Sequence, residues 1–128
     1  MKEIIYSDRA PAPVGPYSQA VKTGNLLFVS GQIALDPVSG KLVTETIEAE
    51  THQVMKNLSA IVQESGRSLE NVVKCSVFVK DMKLYDRINM IYAEYFDEKT
   101  APARELVEVA NLPKFVHVEI SVIVDLIN

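Results

Sequence analysis

One cysteine in 128 residues, Cys75, excludes an internal disulfide and a cysteine-built zinc site. Cys75 stands in an apolar run, where a free thiol behaves as a small hydrophobe, and a reducing compartment is the expected setting. Long hydrophobic runs are also missing: the stretches Leu26 to Val29 and Ser121 to Val124 fall far short of the roughly 18 apolar residues of a membrane span. The opening residues MKEIIYSDRA lack the apolar core of a signal peptide, so a cytoplasmic protein is expected, with no membrane partner. Basic charge is in deficit. Thirteen Lys plus Arg face 17 Asp plus Glu, a formal charge of −4, and no basic run could track a phosphate backbone, which disfavours general nucleic-acid binding. Also missing are a glycine-rich phosphate loop, Gly-x-Ser-x-Gly, Cys-x-x-Cys and His-x-x-x-His, the usual short signatures for nucleotides, acyl transfer and metals.

What remains is 48% hydrophobic and 23% charged, enough for a real core in a single domain spanning 1–128. Glu3 to Tyr6 reads as a short strand, followed by a segment punctuated by Pro11, Pro13 and Pro16 that must be a loop. Tyr17 to Lys22 and Leu26 to Ser30 read as strands joined by a turn at Thr23-Gly24-Asn25, and Asp36 to Gly40 is a further turn. From Thr46, the residues Ile47, Val54, Leu58, Ile61 and Val62 form a helical stripe that Gly66 stops. Val72 to Val79 alternates as a strand, and Asp81 caps a second helix through Leu84, Ile88, Ile91, Tyr92 and Tyr95 that should end near Phe96. Arg104 to Val109 and Val116 to Ile127 complete the strands. Two helices suffice to cover one face of such a sheet, giving an α+β fold. The other face, with His117, Glu119, Ser121, Ile123, Asp125 and Ile127, mixes polar and apolar groups and suggests a subunit interface.

Candidate chemistry is sparse. His117 and Glu119, two apart on a strand, offer two metal ligands without a third, so no metal is expected. Cys75 among valines reads as core packing, and His52 as a surface residue without a partner. Arg104 follows the constrained run Thr100-Ala101-Pro102-Ala103, and its planar fork could grip a small organic acid or form an ordinary salt bridge.

Several separated segments together resemble one family. Ala101-Pro102-Ala103-Arg104, Val107 to Pro113 and Val118-Glu119-Ile120 resemble the C-terminal signature of the RidA/YjgF family, small imine and enamine deaminases also labelled L-PSP ribonucleases or translation inhibitors. Ala12 to Ala20 resembles its N-terminal motif and Val29-Ser30-Gly31-Gln32-Ile33 its Ser-Gly-Gln strand end. Val73-Lys74, Val77 to Asp81, Asn89 and Tyr92 extend the likeness almost end to end.

The resemblance implies a chorismate-mutase-like fold with a mixed sheet and two helices on one face, assembled as a homotrimer with active sites between subunits. It implies Arg104 as the substrate-carboxylate anchor, Glu119 as the water-positioning acid, and a pocket including Tyr17, Ser30, Gly31 and Asn89. The implied partner is a 2-imino acid or its 2-keto product. A 2-imino acid hydrolyses in water unaided, so no cofactor is expected. Where many deaminating members carry a small polar residue and then cysteine or threonine after the arginine, this sequence has Glu105 and Leu106. Leu106 is expected to face the same side as Arg104 and make the pocket more apolar. Two other classes stay open: a non-catalytic regulatory trimer that binds a small carboxylate, for example in purine regulation, and a ribonuclease or translation inhibitor, which the net charge disfavours.

Overall fold

A computed structural model of the chain describes residues 1–127. In chain order the elements are β1 (Glu3–Ile5), β2 (Ala20–Thr23), β3 (Leu26–Gln32), α1 (Ile47–Glu64), β4 (Val72–Val79), α2 (Tyr85–Tyr92), β5 (Ala103–Glu108) and β6 (Val118–Asp125). The strands form one sheet in the order β1-β2-β3-β6-β4-β5. All neighbours are antiparallel except β4 and β5, which the α2 crossover joins in parallel. Both helices pack on one face, as expected for an α+β domain.

The alternation of β-branched residues fixes which side is inside. Cys75, Val77 and Val79 of β4 and Val118, Ile120 and Val124 of β6 are fully buried. They meet Val54, Met55, Leu58, Ile61 and Val62 of α1, each buried residue contributing roughly 1.5–3 kcal/mol. Thr46 caps α1, its Oγ1 accepting from the Ala49 N–H at 3.0 Å, and Gly66, at φ 84°, supplies the left-handed residue that ends it. Among the described residues no helix is long and apolar enough to cross a membrane.

Three expectations shift. Tyr17 lies in the loop ahead of β2, which begins only at Ala20. Asp81 caps a short 3-10 turn, Met82–Leu84, from which α2 continues and stops at Tyr92 rather than near Phe96. The chain then winds on in turns, so Tyr95 and Phe96 pack on the core from outside a helix. His117 precedes β6, which opens at Val118. The uncovered sheet face presents exposed Phe28 and Val107 beside partly buried Phe78 and Ile123.

Candidate active site

Glu119 stands on the uncovered face of β6, between Val118 and Ile120, which point to the helices. Its β4 neighbour is Phe78. On the opposite flank the β3–β6 register slips between Val29 and Gln32, and Gly31 sits in that irregularity. A β-carbon on Gly31 would lie 2.7 Å from Glu119 Oε2 and 2.9 Å from Cδ, so the carboxylate occupies the space that glycine leaves. Ser30 is held by its own hydroxyl, which donates to the Ser18 carbonyl at 2.6 Å. Partial burial pushes the Glu119 carboxyl above its usual range, because the ionised form loses hydration.

These residues line a cavity of about 500 Å³ together with Tyr17, Val14, Leu35 and Lys114. Two buried amides hold its walls. Gln19 Nε2 donates to the carbonyls of Ser7, Ala10 and Pro11 at 3.0, 3.3 and 2.9 Å, while its Oε1 accepts from the Ser7 N–H at 2.7 Å. Asn57 Nδ2 donates to the carbonyls of Ile33 and Leu35, both at 3.0 Å. The proline-rich segment and the chain after β3 are thereby pinned to the core, satisfying backbone groups that would otherwise be buried unpaired.

Arg104 belongs to a different place. It opposes Cys75, whose thiol is fully buried and pushed up to about 11, chiefly by desolvation. Arg104 therefore lies on the helix side of edge strand β5. Its Nη1 donates to Asn89 Oδ1 at 2.8 Å, its Nη2 donates to the Tyr85 hydroxyl at 3.0 Å, and its guanidinium carbon is 4.8 Å from the Tyr92 ring centroid. Three N–H groups of the fork remain for a carboxylate. Leu106 faces the same side, opposite Val77, and packs against the core. Glu105 points to the uncovered face, where it pairs with Lys74 at 3.0 Å and accepts from the Ser76 hydroxyl.

One chain thus divides the sequence-predicted residues into two groups. Tyr17, Ser30, Gly31 and Glu119 gather on one side of the sheet, and Arg104 and Asn89 gather on the other. His117 and Glu119 do not converge. The His117 ring turns back to α1, its Nδ1 2.8 Å from Glu50 Oε1, because a wholly buried carboxylate also accepts from the N–H groups of His117 and Val118 at 2.7 and 3.2 Å. His52 has a partner after all: its Nδ1 is 2.7 Å from the Tyr95 hydroxyl. Glu50, Gln19 and Asn57 escaped the sequence reading. Glu50 left a trace, a carboxylate on the apolar stripe between Ile47 and Val54.

Residues 7–126 match the Endoribonuclease L-PSP family. The chain belongs to the RidA/YjgF/L-PSP family. A RutC family protein of Pyrococcus horikoshii is 50% identical over 96% of this chain and 97% of its own length. Reactive Intermediate Deaminase A, chloroplastic, of Arabidopsis thaliana is 42% identical over 98% of this chain and 66% of its own. The crystal structure of E. coli TdcF with bound serine superposes with a TM-score of 0.90 at 38% identity, covering 96% of this chain and 98% of that one. The mixed sheet with two helices is the fold of RidA-family structures.

Proposed function

We propose that the protein hydrolyses reactive 2-imino and enamine acids to 2-keto acids and ammonia, as a homotrimer whose sites lie between chains. The observation that carries this reading is the division of the site. A carboxylate kept partly desolvated beside a glycine, and an arginine with three N–H groups to spare, are the two groups the reaction needs, and the sheet itself separates them within a chain. A second copy seated on the uncovered face would bring the Arg104 of one chain to the Glu119 cavity of the next.

In such a cleft the Arg104 fork holds the substrate carboxylate and Glu119 orients water against C2. The water oxygen bonds to C2 while Glu119 takes one of its protons. Glu119 returns that proton to nitrogen, giving the carbinolamine, and then relays the hydroxyl proton to nitrogen as well, so that the C2–N bond breaks and ammonia leaves as the C2 carbonyl forms. Orientation supplies most of the acceleration, and the general base adds roughly 10²–10⁴-fold. No cofactor enters, because the imine is already electrophilic. A purely binding role for a small carboxylate is the second reading, favoured by the relative that carries serine.

The test is the decay of 2-iminobutyrate, generated by a threonine dehydratase and trapped with semicarbazide. The native protein should accelerate loss of the imine, and Arg104→Lys, which keeps the charge but loses the planar fork, should not. Binding of 2-oxobutyrate by a folded protein without acceleration would replace deamination with the binding role.

A further inference from the structure

The Glu119 cavity contains a second charge that the deamination chemistry does not use. Lys114 lines it, and among the described residues neither Lys114 nor Glu119 has an ion-pair or side-chain hydrogen-bond partner, including each other. An exposed lysine and a half-buried carboxylate therefore line one cavity without pairing with each other. Lys114 is also placed at a cost. Lys114 and Phe115 have φ of 54° and 60°, the only non-glycine residues with positive φ among those described, a conformation that crowds the β-carbon against the following carbonyl oxygen. The turn persists because buried Leu112 and Val116 anchor its two ends, with the Phe115 N–H donating to the Leu112 carbonyl at 2.9 Å and the Val116 N–H to the Pro113 carbonyl at 3.3 Å.

The lining is mostly apolar, with Val14, Ile33 and Leu35 and the prolines Pro11 and Pro113 beside the polar Gln19, Ser30 and Gln32. Such walls suit a short methylene stem, and their low polarity strengthens a charge pair formed at its end. Resting on the deaminase reading, we propose that Lys114 is a specificity-determining anion contact and that the site takes 2-imino dicarboxylic acids, with the α-carboxylate on Arg104 of a neighbouring chain and the distal carboxylate on Lys114. The free cation then has a counterpart that a four-carbon monocarboxylate does not supply.

The experiment compares 2-iminoglutarate with 2-iminobutyrate, each trapped with semicarbazide, on the native protein, Lys114→Met and Lys114→Arg. The ratio of kcat/KM for the dicarboxylate over the monocarboxylate should fall roughly ten- to a hundredfold in Lys114→Met, mainly through KM, and recover largely in Lys114→Arg. An unchanged ratio overturns the proposal, including the case in which both rates drop together because the turn is disturbed. Titration calorimetry with 2-oxoglutarate and 2-oxobutyrate separates the two levels of the argument. If neither imine is hydrolysed, tighter binding of 2-oxoglutarate that depends on Lys114 keeps the anion contact and removes the deaminase reading. Equal binding of both keto acids removes the contact.

Discussion

Arg104 and Glu119 sit on opposite faces of one sheet, Arg104 braced by Asn89 under the helices and Glu119 pressed against Gly31 on the bare side. In the proposed trimer a site that uses both draws them from different chains, which predicts complementation. Arg104→Ala and Glu119→Gln proteins should each be inactive, and a mixture unfolded and refolded together should recover about one quarter of native activity, the random share of sites that pair an intact arginine with an intact carboxylate. An assay of the mixed pool, against the two variants merely combined after folding, reads this directly.

Gly31→Ala should act through Glu119. The added carbon must displace the carboxylate, since 2.7 Å is closer than any β-carbon tolerates. Deaminase activity is expected to fall about 10- to 100-fold, a large part of a general base's contribution, while the urea midpoint moves little because a flexible side chain can yield.

The raised Glu119 carboxyl sets two pH dependences. Activity should have an acid limb above the ordinary glutamate value of about 4.3, because the base must be ionised. Stability runs the other way. With the folded value above the unfolded one, the native state holds the extra proton between them, so stability falls as pH rises through that window. Glu119→Gln should therefore melt above the native protein at neutral pH, and the gap should close below about pH 4. Paired thermal scans at the two pH values test the sign.

Glu50 is expected to be structural. Replacement by alanine strips the acceptor from the N–H groups of His117 and Val118 in a dry setting and should cost roughly 2–4 kcal/mol in urea unfolding.

Local pattern was enough to place β4 at Val72–Val79 and α1 between Thr46 and Gly66, since alternation, cap and stop signal agree there. Tyr95 and Phe96 misled because their spacing continues the helical stripe while their contacts, to His52 and Tyr92, are made from turns. The candidate site residues could be named one by one from the family resemblance. Their separation across the sheet could not be read there, because the face of Arg104 depends on its pairing with Cys75, a register no local pattern encodes. Lys114 was missed for a similar reason: only the left-handed turn at 114–115 carries it to the cavity.

β6 is the last strand in chain order and the bridge at the middle of the sheet, flanked by β3 and β4. Until it inserts, the β1-β2-β3 ribbon and the β4-β5 pair share no hydrogen bonds, and each exposes an unpaired edge. Both fragments must therefore wait as separate, sticky pieces for β6. Folding becomes a closure event governed by long-range contacts, and aggregation risk is greatest before β6 has joined the two halves.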